Sequence, residues 1–136
     1  MNITLRAGER IYINGAVLRI DRKATLELMN DATFLLETHV MQAEEATTPL
    51  RQIYFVAQVM VMDPASAQTT AQMAHPLIAK ALEAFESLEI KRGLEQVAEL
   101  INRTRYFEDM KTLRALYPLE QTEMFPRGEA ETSHAA

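Results

Sequence analysis

Thr48-Pro49-Leu50-Arg51-Gln52-Ile53-Tyr54-Phe55-Val56-Ala57-Gln58-Val59-Met60-Val61-Met62-Asp63-Pro64 is where the hydrophobic period of the chain changes from two to about 3.6. Thr48 suits an N-cap, because its side-chain oxygen can accept from an amide of the first turn. Pro49 suits the first helical position, where a missing donor is harmless. Between Leu50 and Met62 the polar side chains Arg51 and Gln58 stand seven residues apart on one face, and apolar groups fill nearly all the rest. A helix of that kind must be buried. The β-branched Ile53, Val56, Val59 and Val61 leave a buried strand as the alternative. Asp63-Pro64 stops the element in either case.

Upstream of this stretch the pattern is that of strands. Ile11 and Ile13 on one side and Val17, Leu18 and Ile20 on the other surround Asn14-Gly15, a dipeptide suited to the left-handed positions of a tight hairpin turn. Ala24–Leu28 and Thr33–Glu37 flank Asn30-Asp31, a second turn signal, so a second hairpin is expected there. Downstream, 67–85 reads as a helix with Leu77, Ile78, Ala81, Leu82 and Phe85 on its core face, and Pro76 either kinks it or opens a new first turn. Ile90, Leu94, Val97 and Ile101 mark a third helix over 90–102. Tyr106, Met110, Leu113 and Tyr117 mark a fourth, which starts near Arg105 and is expected to end at Pro118. The short link between these two stripes predicts an antiparallel helical pair. The fold class is therefore α+β: a small N-terminal antiparallel sheet of two hairpins, then about four α-helices. Residues 1–123 form a single domain (1–47 β, 48–123 helical), and 124–136 read as a flexible tail.

With 136 residues, 48% apolar and 24% charged, the chain is long enough for one cooperative core. It has no cysteine, so disulfides, thiolate metal sites and thiol nucleophiles are excluded. The first residues carry charge and form no signal-peptide core. The longest apolar run, 53–62, is about half a membrane span, and a cytoplasmic protein is expected. The net charge of −5 is unevenly spread: residues 1–23 hold Arg6, Arg10, Arg19, Arg22 and Lys23 against Glu9 and Asp21, a balance of +3, which leaves −8 for the other 113. An acidic protein is a poor generic nucleic-acid binder, so the N-terminal segment is the first place to look for one.

Strands carrying Arg on one face would make a positive stripe, and guanidinium forks suit phosphate oxygens. The competing reading of the same five residues is the solvated face of an amphipathic sheet. Tyr12 could stack on a base, although cross-strand packing accounts for it equally simply. His39, His75 and His134 match no common metal spacing, and no metal or cofactor is expected. Glu44-Glu45 and Glu83/Glu86 are carboxylate pairs of the kind that serve solubility and the helix dipole. No Gly-rich phosphate loop, G-x-S-x-G elbow or H-E-x-x-H occurs, and the chain is expected not to be an enzyme.

Three phrases in order, Leu5-Arg6-Ala7-Gly8-Glu9-Arg10-Ile11-Tyr12-Ile13-Asn14-Gly15-Ala16-Val17, Thr48-Pro49-Leu50-Arg51-Gln52-Ile53-Tyr54-Phe55 and Met62-Asp63-Pro64, resemble the FlbT family of flagellin post-transcriptional repressors. The likeness covers about residues 3–117, with one departure: Ala7 stands where the family pattern has Pro or Lys before the glycine. The resemblance implies a regulator that associates with the 5′ untranslated region of flagellin mRNA and represses translation or promotes decay. It makes Arg6, Arg10, Arg19, Arg22 and Lys23 the expected RNA-binding residues. The alternative is an adaptor in flagellum biogenesis whose partner is flagellin or another flagellar regulatory protein. The all-round apolar 50–62 helix and the open edges of so small a sheet further predict a homo-oligomer, a dimer in the first instance.

Overall fold

A computed structural model of the protein describes residues 1–30 and 32–125. The Asn14-Gly15 turn forms as expected. Both residues have positive φ, 48° and 85°, and they join β2 (Arg10–Ile13) to β3 (Ala16–Arg19) in register, with Ile13 opposite Ala16 and Arg10 opposite Arg19. A Cβ on Gly15 would lie 3.1 Å from Pro64 Cδ, so the hairpin tip abuts the residue that stops the first helix.

The second expected hairpin does not form. β4 (Ala24–Glu27) pairs instead with β1 (Asn2–Leu5), and β5 (Phe34–Leu36) pairs with the far edge of β2, giving a two-stranded and a three-stranded sheet. The reason lies in the side chains. Along β4 half-buried and exposed residues alternate, so it offers one apolar face and fits an outer ribbon. Phe34 and Leu35 are consecutive and both buried, so β5 needs apolar cover on both faces. It finds that cover between two cores. Phe34 joins Ile3, Leu5 and Ile11 in a small core between the sheets, and Leu35 points the other way into the helical core.

The helical half follows the expected order: α1 (Pro49–Met62), α2 (Ala67–Ala84), α3 (Leu88–Asn102) and α4 (Tyr106–Met124). The 48–64 stretch is a helix and not a strand. Thr48 caps it, its Oγ1 accepting from Arg51 N at 3.2 Å, and Leu50, Ile53, Ala57, Met60 and Val61 are buried. Gln58, which shares a face of the helix with Arg51, is buried and satisfied. It is 4% exposed, and its amide accepts from Met41 N (2.6 Å) and donates to Met41 O (2.8 Å), pinning the link between sheet and helices onto α1.

Both proline readings needed correction or choice. α2 runs through Pro76. α4 does not end at Pro118 but continues to Met124, because its last turns carry long-range bonds that outweigh the lost donor. Glu120, 1% exposed, accepts from Thr48 Oγ1 (2.7 Å) and Leu50 N (2.9 Å), and Glu123 accepts from Glu86 N and Ser87 N, both at 2.9 Å. Acidic side chains late in α4 thus satisfy the orphan amides at the starts of α1 and α3. Of the segment read as a flexible tail, Met124 belongs to α4 and Phe125 follows it; 126–136 lie outside the described residues.

Candidate nucleic-acid interface

The five basic residues named from the sequence come together at one end of the two sheets, opposite the Asn14-Gly15 tip. Two chain reversals hold them there. In the first, Glu9 N donates to Arg6 O at 3.1 Å and Gly8 takes φ 84°, the geometry of a turn that needs a positive φ at its third position. Gly8 N donates to Ile20 O (2.6 Å) while Ile20 N donates to Glu9 O (2.9 Å), so Gly8 and Glu9 together oppose Ile20 in a glycine bulge. Gly8 therefore serves turn and bulge at once. Ala7 sits at the turn position that proline favours, so its departure from the family pattern gives up rigidity and keeps the geometry.

The bulge also sets the phase of the ladder. Because Glu9 and Ile20 are hydrogen-bonded across the strands, the next pair, Arg10 and Arg19, is a non-bonded one, where opposite side chains come closest. Both are exposed, and among the described residues neither has an ion-pair partner. The second reversal carries Arg22 and Lys23, both exposed. Leu5 pairs with Ala24, so Arg6 emerges from β1 level with Lys23 entering β4. Two acids temper the group: Glu9 lies 3.8 Å from Arg6 and accepts from Arg6 N at 2.5 Å, and Asp21 lies 3.7 Å from Arg22. Arg6, Asp21 and Arg22 are exposed and Glu9 is half-buried, so these pairs are weak.

Tyr12 lies two residues from Arg10 on the same face of β2, but it is not free on that face. It is half-buried and packs on the helical core, with Val17 opposite it across the hairpin. A cleft of about 790 Å³ is also elsewhere, between the 28–34 segment and the first turns of α4. Arg105 and Glu108 on its rim are paired with each other.

Several buried polar groups carried no sequence signal. Tyr54 Oη donates to His39 O at 2.5 Å and accepts from Arg114 Nη1 at 3.0 Å, while burial and then Arg114 lower the His39 pKa. Arg51 stacks over the Tyr117 ring at 4.5 Å and lies 3.7 Å from Glu120. Asp109 is fully buried with no hydrogen bond to either carboxylate oxygen, and burial raises its pKa from 3.8 to about 8. A carboxyl in that state is neutral at pH 7. Tyr54, Arg51, Asp109, Arg114 and Tyr117 fall within the helices the sequence predicts, Glu120 lies beyond the helix end expected at Pro118, and His39 has no metal spacing; the partners of these side chains come from distant parts of the chain. Glu44-Glu45 lies in the first turn of a short 3-10 helix, Glu45 accepting from Gln42 N at 2.9 Å in a capping box, whereas Glu83 sits in the last turn of α2, the end that the dipole does not favour for an acid.

Among the described residues no helix is long and apolar enough to cross a membrane, and no group of three His, Asp or Glu side chains is gathered that could hold a metal.

Comparison with known proteins adds a family. The model described as flagellar protein FlbT matches residues 1–124. A probable flagellum biosynthesis repressor protein FlbT 2 of Bradyrhizobium diazoefficiens is 51% identical over 121 residues, 89% of each chain. Probable flagellum biosynthesis repressor proteins FlbT of Mesorhizobium japonicum and Brucella abortus are 47% and 54% identical, over 89% and 88% of this chain and 82% and 79% of theirs. No solved structure matches.

Proposed function

This chain belongs to the FlbT family of flagellar proteins, and from that premise we propose that it is a repressor of flagellum biosynthesis acting after transcription. It associates with the 5′ untranslated region of flagellin mRNA through Arg6, Arg10, Arg19, Arg22 and Lys23, and so limits translation or exposes the transcript to cellular nucleases. The protein itself catalyses nothing; it acts by occupying or presenting the leader. It works in the cytoplasm, where its target is.

The observation that carries this reading is the Arg10–Arg19 pair. Like charges directly opposite on an antiparallel ladder are destabilising, and here they occupy a closely spaced position without a compensating acid among the described residues. An anionic ligand reverses the sign of that interaction, because two guanidinium forks can share phosphate oxygens. A filter-binding titration against a flagellin leader at two salt concentrations tests it. Direct contact predicts an affinity that falls steeply with salt, by somewhat less than one logarithmic unit per phosphate neutralised.

The second reading is an adaptor that binds flagellin or another flagellar regulatory protein and affects mRNA indirectly. The balance of −8 beyond residue 23 favours it, since most of the surface repels phosphate. Undetectable leader binding at low salt, with retention of a flagellar protein, selects that reading.

A further inference from the structure

Resting on the RNA reading above, we infer that the RNA form held at the basic end is a base-paired stem gripped by its phosphates, and not an unpaired stretch read through its bases. Proteins that hold single strands combine basic grooves with exposed aromatic rings on which bases stack. The basic end has no such platform among the described residues. The chain has four tyrosines and five phenylalanines, all within the described residues, and only Phe125, at the end of α4 in the helical half, is exposed. The nearest aromatic in sequence, Tyr12, shares the Arg10 face of β2 but is half-buried against the helical core, and Phe34 is stacked on Phe107 at 4.6 Å inside the small core.

What the basic end does present is charge on a rigid frame. Arg10 and Arg19 are fixed side by side by the ladder, and Arg6 and Lys23 leave a second ladder at the same end. Fixed cations without exposed aromatic rings beside them favour the ligand with the denser and more regular array of phosphates. A duplex is that ligand, releasing about 0.9 counterion per phosphate neutralised against about 0.7 for a single strand. Recognition of this kind reads helical shape and backbone, and is tolerant of base sequence.

The test titrates the unaltered protein with two probes of about equal nucleotide count: an RNA hairpin with a stem of about 16 base pairs, and unpaired oligouridine. The hairpin is expected to bind at least about tenfold more tightly, with a salt slope no steeper than about −4.5, the limit for five contacts at about 0.9 each. Rebuilding the stem with a different sequence should leave its affinity within about threefold. An Arg10→Gln/Arg19→Gln variant should flatten the hairpin slope by about two units. Oligouridine binding as tightly as the hairpin, or more tightly, overturns the inference and leaves the RNA reading standing. Retention of neither probe at low salt also overturns the inference, and the leader titration then decides the RNA reading separately.

Discussion

Replacing Asp109 by Asn is expected to change the pH dependence of stability in a direction fixed by burial alone. The folded state holds Asp109 protonated up to about pH 8, whereas an ordinary carboxyl gives up its proton near 3.8. Between those values the folded protein binds one more proton than the unfolded chain, so this group makes stability fall as pH rises. The slope is about 1.4 kcal/mol per pH unit, and the loss levels off above the folded pKa, where Asp109 ionises in place. From pH 5 to pH 8 the contribution sums to about 4 kcal/mol, an upper figure because local relaxation and water entry soften burial. Asn has nearly the same shape and never ionises. Urea unfolding of both proteins at pH 5, 6.5 and 8 isolates the effect, since every other titrating group is common to the pair and cancels in the difference. The stability of the Asn variant relative to the parent should therefore climb steadily across that range. A difference that stays flat within about 0.5 kcal/mol from pH 5 to pH 8 would refute the assignment of a neutral, unpartnered carboxyl at this position.

Glu120→Ala removes the acceptor for Thr48 Oγ1 and Leu50 N and the partner of Arg51, and should cost about 3–5 kcal/mol in urea unfolding; a loss below about 1 kcal/mol contradicts its role at the start of α1. Arg19→Gln relieves the cross-strand like-charge pair and should raise stability by about 0.2–1 kcal/mol in the same assay, whereas a clear loss would mean that Arg19 has a stabilising partner. Light scattering at micromolar concentration should return about twice the 15.4 kDa chain mass, and a monomer there removes the dimer proposal.

Of the two features from which the sequence predicts that dimer, the apolar helix and the open sheet edges, only the second remains in the fold. The apolar girdle of α1 looked like a surplus needing a second chain, but α2, α4 and the three-stranded sheet pack against it. Among the described residues every strand but β2 is bonded on one edge only, and the open edge at β3 carries Val17, 63% exposed, and Leu18, 42% exposed. The helices were legible because each announces itself locally, through Thr48-Pro49 at a start and through the four-three-four spacing of Ile90, Leu94, Val97 and Ile101. The Asn14-Gly15 hairpin was legible for the same reason: two residues set its turn. Strand partnership was not local. Asn30-Asp31 looked like a hairpin turn, and only the need to bury both Phe34 and Leu35 sends β5 to β2 instead. Pro118 misled in the same way, because the bonds that carry α4 past it reach residues about 35 and 70 positions away. The basic residues could be named from charge counting, yet their convergence depends on the Gly8 bulge, which brings Arg10 opposite Arg19.

Whether those residues form an RNA site is tested most directly by two triple variants titrated against a flagellin leader. Arg19, Arg22 and Lys23 are each replaced by Ser in one; Lys80, Lys91 and Arg92, in α2 and α3, are each replaced by Ser in the other. Both lose three positive charges, so any effect of net charge alone is the same in each. The first variant should bind the leader far more weakly, with a salt slope shallower by about three units and a thermal midpoint little changed. The second should bind like the parent protein. Equal losses from the two would mean that overall charge, and not a site, had been identified, and parent-like binding by the first variant would contradict the assignment of phosphate contacts to Arg19, Arg22 and Lys23.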